Sequence, residues 1–267
     1  MASAPDKFFQ ARVVERKEFA PDLWMFRMDP GGDFRFQAGQ YATLGVQTPE
    51  KLVERAYSIA SSPYEPQLEF FVELVPHGEL TPLLYNLKAG DTLSCRKTAK
   101  GRFTLDTKSG RTNHLCVSTV TGIAPFVSYA RTLFRDWKNG KFKGEHKLYM
   151  LNGASRAWEF GYSEEIERYA AEAPSWLTYV PTVSRPWEDK AWRGEDGRVD
   201  DLLRKYTDMW GLTPENTSVY LCGHPTMIEN GKGILHRRGW QKNQMKEEVY
   251  FIPGKETAAA SQAQTAE

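Results

Sequence analysis

Two different patterns of hydrophobic positions divide the 267-residue chain. Up to about residue 105, short apolar runs alternate with Pro, Gly and Asp clusters, which predicts strands at FQARVVERKEF, DLWMFRM, QYATLGV, AYSIA, LEFFVELV and DTLSCRK. Short strands at this spacing are typical of a closed or nearly closed antiparallel β-barrel. The segment TPLLYNL predicts one short helix among them, with Thr81 as its N-cap and Pro82 in its first position.

The pattern changes after the polar, turn-rich segment at 106–113. Apolar runs at HLCVSTV, HKLYMLNGA, WLTYVPTVS and TSVYLCG now alternate with amphipathic helical segments. This alternation predicts βαβ units around a parallel sheet of about five strands, whose ligands bind beyond the carboxyl ends of the strands. We therefore expect a β-barrel domain over residues 1–108, an α/β domain over 109–252 and a disordered polar tail over 253–267.

Composition narrows the possible functions. Lys and Arg (35) nearly balance Asp and Glu (34), which argues against a broad nucleic-acid surface. No apolar run is long enough to predict a membrane span, and the start MASAPDKFF lacks the features of a signal peptide, so we expect a cytoplasmic protein. Cys95, Cys116 and Cys222 are too far apart for a zinc site or an iron–sulfur cluster. We expect no metal site, and redox chemistry would need another cofactor.

The stretch RAYSIASSP, which begins at Arg55, uses strand positions for an arginine, an aromatic ring and a hydroxyl. A strand places Arg55 and Tyr57 on one face, with Ala56 and Ser58 on the other. An arginine can hold a phosphate through two parallel N–H bonds, while the ring and the hydroxyl can contact an aromatic ligand. A polar-faced edge strand explains this one motif equally well.

RAYSIASSP also resembles the flavin-binding RxYS motif of the ferredoxin–NADP⁺ reductase family, and later motifs follow in that family's order over about residues 8–251. Their order and spacing are most similar to the bacterial, non-photosynthetic branch. The resemblance implies that Arg55 meets the FAD pyrophosphate, that Tyr57 stacks on the isoalloxazine and that Ser58 lies near flavin N5. It implies further FAD contacts at Ala56, Phe71, Val72, Glu73, Gly78, Glu79, Leu80 and Thr81. For the loop at 78–81, a simple capped turn is the alternative.

The segment STVTGIAPF is similar to the family's GTGIAPF, although it does not match a GxGxxG fingerprint. Gly122 allows the backbone to approach a ligand closely, and Pro125 opens a helix. The resemblance places Thr121 between flavin and nicotinamide. Val120 stands where the family has its first glycine, so we expect weaker or shifted NADP binding. A generic strand–helix turn is the alternative.

Three arginines follow predicted strands or open a predicted helix in the second half of the chain. Arg156 and Ser155 follow one strand, Arg185 and Ser184 follow the next, and Arg198 stands at the expected start of a helix. Arginine suits the 2′-phosphate that distinguishes NADP from NAD, so we expect NADP. Solvated surface arginines are the alternative.

The last two motifs lie near the end of the chain. LCGHPTMI resembles the family's CGxPxM segment, which implies that Cys222 faces the nicotinamide and that NADP contacts Gly223, His224 and Pro225. In EEVYFIPGK, Glu248 can relay a proton to the flavin. The resemblance also implies an aromatic cover for one flavin face, and spacing does not choose between Tyr250 and Phe251. The expected catalytic residues are therefore Ser58, Cys222 and Glu248.

The resemblance as a whole implies a monomeric ferredoxin or flavodoxin–NADP⁺ reductase. NADP(H) would exchange a hydride with FAD, which would exchange single electrons with a carrier docked near Lys51, Lys100 and Arg102. An NAD(P)H-dependent reductase component of an oxygenase or another electron-transfer chain is the main alternative. An NADH-dependent relative of cytochrome b5 reductase and a non-catalytic electron-transfer subunit also remain open.

Overall fold

The computed structural model describes residues 7–250, and its first half is a six-stranded antiparallel sheet in the order β4-β3-β6-β1-β2-β5. Its elements are β1 (Phe8–Ala20), β2 (Leu23–Asp29), β3 (Tyr41–Gln47), β4 (Leu52–Ser58), β5 (Leu68–Glu73), α1 (Thr81–Tyr85) and β6 (Thr92–Arg96). The Ala60 amide donates to the Glu69 carbonyl at 2.8 Å, which connects the chain after β4 to β5 at the opposite edge. The predicted nearly closed barrel is therefore confirmed.

Strand β2 is buried on both faces, which explains why its sequence LWMFRM does not alternate strictly. Trp24 and Phe26 point into the barrel core, whereas Leu23 and Met25 join a second core shared with the other half of the molecule. Phe71 of β5 lies in that second core as well, in edge contact with Tyr162. The outer face of the barrel is thus the surface on which the second half packs.

The second half is a six-stranded parallel sheet in the order β10-β9-β8-β7-β11-β12. Its elements are β7 (Asn113–Thr119), α2 (Ala124–Lys138), β8 (Lys147–Ala154), α3 (Ser163–Glu172), β9 (Leu177–Val183), β10 (Glu195–Asp196), α4 (Leu203–Met209), β11 (Thr217–Gly223), α5 (Pro225–Arg237) and β12 (Met245–Val249). The sequence predicts about five of these strands, because the two residues of β10 are too few to form a pattern.

Two local predictions are wrong. Helix α4 begins at Leu203, so Arg198 does not open it; Arg198 instead follows β10. Leu80, rather than Thr81, precedes α1, and the Thr81 hydroxyl bonds to the amide and carbonyl of Val75. The predicted tail at 253–267 and Phe251 lie outside the described residues. Between residues 7 and 250, no helix is both long and apolar enough to cross a membrane.

A buried carboxylate joins the two halves. Glu69 on β5 is fully buried, and its Oε1 lies 2.9 Å from Arg131 Nη1 on α2 and 2.8 Å from the Tyr162 hydroxyl. Its Oε2 lies 2.5 Å from Arg27 Nε on the adjacent β2. Because a buried charge is tolerated only when it is paired and hydrogen-bonded, these contacts fix the orientation of the barrel against α2.

Candidate active site at the junction of the two sheets

A hydrogen bond between the two halves marks the centre of the site. Ser58, the last residue of β4, donates from Oγ to Glu248 Oε2 on β12 at 2.9 Å. Burial raises the pKa of Glu248 to about 7, although the bond from Ser58 acts in the opposite direction. A carboxyl group that titrates near neutrality can both hold and release a proton under ordinary conditions.

Cys222 and Tyr250 complete this cluster. Cys222 on β11 is the register partner of Glu248, and the Tyr250 amide donates to the Gly223 carbonyl at 3.0 Å. The Tyr250 phenol also interacts with the side chains of Ser58 and Cys222. Burial raises the pKa of the Cys222 thiol and of the Tyr250 phenol, so both stay protonated at neutral pH. A protonated thiol is a poor nucleophile, which favours a positioning role for Cys222.

Tyr41 also belongs to this cluster, and the sequence reasoning missed it. It is the antiparallel partner of Ser58 in the β3–β4 pairing. Burial, followed by the charge of Glu248, raises the pKa of the Tyr41 phenol. The only signal for Tyr41 is the register of two strands, which cannot be read from a local motif.

A cavity of about 220 Å³ opens beside Glu248. Its lining consists of Arg102, Phe103, Lys246, Glu247 and Glu248. Lys246 Nζ donates to the Thr104 carbonyl at 2.6 Å, which holds β12 against the segment after β6. The cavity offers a route between solvent and the Glu248 carboxyl group.

On the barrel, the carboxylate of Glu79 connects the loop at 78–81 to β4, and both segments are predicted to bind the FAD diphosphate. Glu79 accepts from Arg55 and, at 2.7 Å, from Lys51 Nζ. The Arg55 and Lys51 side chains are 47% and 59% exposed, and Tyr57 lies on the same face of β4 with its ring edge-on to Phe70 at 6.5 Å. Two cations and an aromatic ring on one surface are the groups that a flavin dinucleotide requires, so these residues fit FAD.

The remaining predicted FAD contacts have different surroundings. Val72 and Leu80 are buried in the barrel core, and Phe71 is buried in the shared core. The structure therefore does not bring these side chains to the surface of Arg55 and Tyr57. Ala56 and Glu73 are exposed, and the Gly78 amide donates to the Val75 carbonyl.

The loops after β7 and β11 touch each other next to the buried cluster. Thr121 and Gly122 lie in a 3₁₀ turn, Val120–Ile123, and a Cβ on Gly122 would collide with the Cys222 carbonyl. The His224 amide donates to Thr119 Oγ1 at 2.8 Å. His224 Nδ1 in turn accepts from the Thr226 amide, so His224 caps α5, which begins at Pro225 as expected.

The serine and arginine pairs lie side by side at the carboxyl edge of the parallel sheet. The Ser184 amide donates to the Ala154 carbonyl at 2.9 Å, and the Arg185 amide donates to the Ser155 carbonyl at 3.1 Å. Arg198 reaches the same edge, because the amide of the preceding Gly197 donates to the Val183 carbonyl.

Each arginine at this edge has a carboxylate partner. Arg156 pairs with Glu188 (Nε–Oε2, 2.5 Å) and with Glu159 (Nη1–Oε1, 3.2 Å). Glu188 also reaches Arg185 (Oε1–Nη1, 3.5 Å), and Arg198 pairs with Asp200 (Nε–Oδ1, 3.4 Å). The sequence reasoning missed Glu188, whose one signal is its position three residues after Arg185.

Comparisons with known proteins agree with this geometry. An oxidoreductase FAD-binding domain model matches residues 10–105, and an oxidoreductase NAD-binding domain model matches residues 117–232. The ferredoxin–NADP reductase of Pseudomonas aeruginosa is 30% identical over 244 residues, which cover 86% of this chain and 90% of that protein. The chain belongs to the ferredoxin–NADP reductase family. It is therefore an oxidoreductase that uses FAD and a nicotinamide nucleotide, as the motifs predict.

Solved structures support the same fold. A ferredoxin NADP⁺ reductase from Neisseria gonorrhoeae with bound FAD and NADP superposes with a TM-score of 0.79 at 25% identity, covering 92% of this chain and 100% of that one. The cytochrome P450 reductase GcoB of Amycolatopsis gives a TM-score of 0.73 at 26% identity, covering 91% of this chain but 69% of that one. The family resemblance and the two-part architecture are thus confirmed, while the roles of individual residues stay predictions.

Proposed function

We propose that this oxidoreductase moves electrons between NADP(H) and a small one-electron carrier, ferredoxin or flavodoxin, as a cytoplasmic monomer. The observation that carries the proposal is the 2.9 Å bond between Ser58 and Glu248, which joins the barrel to the parallel sheet beside Cys222 and Tyr250. FAD, when bound, supplies the chemistry by taking a hydride from the nicotinamide and returning single electrons. The protein contributes binding, orientation and the movement of a proton.

For FAD, Arg55 binds the diphosphate and Tyr57 lies against the flavin ring. Lys51, which the sequence suggested for the carrier dock, joins Arg55 instead, because both pair with Glu79. Both cations share Glu79 at the surface, where water screens ion pairs, so they can turn towards a diphosphate at small cost. Phe70 supports the Tyr57 ring from the side.

For the proton, Ser58 and Glu248 act as a relay. Glu248 holds a proton near neutral pH, and Ser58 passes it towards the flavin edge. The cavity beside Glu248 lets the carboxyl group recover a proton from solvent. Thr121 and Cys222 position the nicotinamide, and Tyr250 covers the flavin face that the nicotinamide approaches.

For NADP, the carboxyl edge of the parallel sheet supplies the contacts. The arginines Arg156, Arg185 and Arg198 bind the 2′-phosphate, and the neighbouring Ser155 and Ser184 hold the adenosine ribose. Gly223, His224 and Pro225 contact the nucleotide where the loop after β11 meets the turn at Thr121. The carrier docks at the exposed Lys100 and Arg102, which lie next to Tyr41 and the cavity.

Two experiments test this function. The purified protein should be yellow with bound FAD and should reduce an artificial acceptor with NADPH in preference to NADH. Arg185→Ala should raise KM for NADPH by about tenfold, the value of one charge-assisted hydrogen bond, and leave KM for NADH nearly unchanged. Colourless protein, or an equal effect on both nucleotides, would contradict the proposal.

The identity of the carrier needs a separate measurement. Reduction rates with the host's own ferredoxins and flavodoxins, compared with rates for a cytochrome P450 or an oxygenase component, separate the proposed function from its main alternative. Rapid reduction of ferredoxin or flavodoxin is expected. Reduction of the oxygenase partner alone would favour the alternative.

A further inference from the structure

We infer that Glu188 limits the preference of this enzyme for NADPH over NADH, because its carboxylate occupies the two arginines proposed for the 2′-phosphate. The inference rests on the proposed NADP site and concerns a residue that the family motifs do not include. It assigns Glu188 a role in nucleotide specificity.

The geometry holds Glu188 between the ends of two neighbouring strands. It is the last residue of a 3₁₀ turn, Pro186–Glu188, and its amide donates to the Arg185 carbonyl at 3.0 Å. One carboxylate oxygen lies 2.5 Å from Arg156 Nε, beyond β8, and the other lies 3.5 Å from Arg185 Nη1, beyond β9. A single carboxylate therefore bridges both guanidinium groups.

The charges at this edge oppose a phosphate. Arg156 already pairs with both Glu159 and Glu188, so a 2′-phosphate reaching it meets two carboxylates as well as one guanidinium. Each unit charge at about 4 Å in water changes an equilibrium constant by about fivefold; the second charge of a phosphate dianion increases this effect, and salt reduces it. NADH carries a neutral 2′-hydroxyl instead, and a carboxylate readily accepts its hydrogen bond. Glu188 thus disfavours NADPH and favours NADH.

The effect of Glu188 on nucleotide binding can be measured without a loss of stability, because its ion pairs are exposed to solvent. The Glu188, Arg156 and Arg185 side chains are 32%, 29% and 47% exposed, so water screens their ion pairs and they add little to stability. Glutamine keeps the size of Glu188 and removes only its charge. The next residue, Asp189, provides a matched control, because its carboxylate accepts from the Ala191 amide at 3.0 Å.

The test compares flavin-loaded wild type, Glu188→Gln and Asp189→Asn. Calorimetry measures binding of adenosine 2′,5′-bisphosphate and of AMP, which differ only in the 2′-phosphate, and steady-state kinetics give KM for NADPH and NADH. We expect Glu188→Gln to tighten binding of the bisphosphate and lower KM for NADPH by about five- to tenfold, with AMP binding unchanged and KM for NADH equal or higher. Asp189→Asn should change each value by less than about twofold.

The outcomes separate the inference from the proposed function. Suppose that Arg185→Ala weakens binding of the bisphosphate, but that Glu188→Gln changes it as little as Asp189→Asn does. This result would overturn the role of Glu188 and would leave the proposed NADP site intact. If wild type binds the bisphosphate no better than AMP and Arg185→Ala changes neither, the NADP site and the inference fall together. An equal decrease in KM for NADH and for NADPH in Glu188→Gln would also overturn the inference.

Discussion

The two ends of the candidate site differ in their contact with water. At the junction of the sheets, Ser58 and Cys222 are 7% and 0% exposed, whereas the Arg156 and Arg185 side chains at the nucleotide edge are 29% and 47% exposed. Burial moves the pKa of Glu248 to about 7, which makes its protonation state variable. At the exposed edge, charges are paired and screened. The reacting end should therefore respond to pH, and the recognition end to salt and to the number of charges.

The largest expected effect concerns a buried histidine outside the candidate site, whose displaced pKa should make stability depend on pH. His114 on β7 is fully buried, with Nδ1 3.2 Å from the Tyr220 hydroxyl and Nε2 3.0 Å from His146 Nδ1. Burial, and then His146, lowers the pKa of His114 to about 3. Because an unfolded imidazole binds a proton below about 6.5, the free energy of unfolding should fall by about 1.4 kcal/mol per pH unit from pH 6.5 towards 3.

Denaturant unfolding at pH 4 to 7 measures this slope. His114→Asn, which keeps a polar group but does not titrate, should flatten the slope and leave turnover at pH 7 unchanged, since no step is assigned to His114. Equal slopes in the two proteins would show that other groups cause the acid sensitivity.

The second prediction concerns Glu248. Glu248→Gln should lower kcat by about 100-fold, the usual contribution of a general acid or base, and should remove an apparent pKa near 7 from the pH–rate profile. In the wild type, the step that needs the proton should slow as pH rises through 7, because Glu248 is then ionised. Glu247→Gln is the control, since Glu247 is exposed and pairs with Lys232 at 2.7 Å. A wild-type pH profile retained by Glu248→Gln would exclude the relay.

The stability of the same variant gives an independent readout. The folded-state pKa of Glu248 lies above its ordinary value, so its stabilising contribution is present at low pH and is lost as pH rises through 7. Glu248→Gln removes this loss, and unfolding at pH 8 should therefore require more denaturant than it does for the wild type. A variant that is less stable at pH 8 would indicate that the bond from Ser58 outweighs burial.

The third prediction addresses the exposed edge. Raising salt from about 0.1 M to about 1 M shortens the screening length from about 10 Å to 3 Å, which should raise KM for NADPH by about three- to fivefold. KM for NADH should change less, because the 2′-phosphate contacts are absent. The pKa near 7 should stay in place, since Glu248 is partly buried where the two sheets meet and salt screens it less than an exposed charge. A parallel rise of both KM values would mean that the arginines do not read the 2′-phosphate.

Much of the fold could be predicted because its signals are local. Apolar runs and the change from strand clusters to strand–helix alternation predict both sheets, and Pro225 predicts the start of α5. The two-residue β10 has no periodicity to detect. Arg198 looks like a helix start because Val199, Leu202, Leu203 and Tyr206 have the apolar spacing of a helix. In the structure, turns at 199–202 follow Arg198, and α4 begins only at Leu203.

Less of the candidate site could be predicted from local sequence patterns. Ser58 and Glu248 are 190 residues apart, and only the family resemblance placed them together before the structure did. Strand register places Tyr41 opposite Ser58, and a turn brings Glu188 back to Arg185. These partners depend on tertiary contacts. Phe71 and Val72 lie in a motif, but their side chains supply packing.

The smallest expected effect concerns Val120, which stands between the two ends of the site. Its φ of +42° is unusual for a β-branched residue, and such strain costs about 1–3 kcal/mol. Val120 also packs on the shared core and on the small cluster of Ala154, Phe160 and Val183. Val120→Gly relieves the strain but loses this packing, so stability should change by less than about 1 kcal/mol. The smaller side chain should lower KM for NADPH by about twofold.

Alanine at this position separates the backbone from the side chain. Val120→Ala loses the methyl groups but keeps a Cβ at positive φ, so it should be less stable than Val120→Gly by about 1 kcal/mol. Thermal unfolding of the three proteins gives this order. If Val120→Ala is instead the more stable variant, packing against the two clusters outweighs the strain, and the valine serves to support the turn at Thr121.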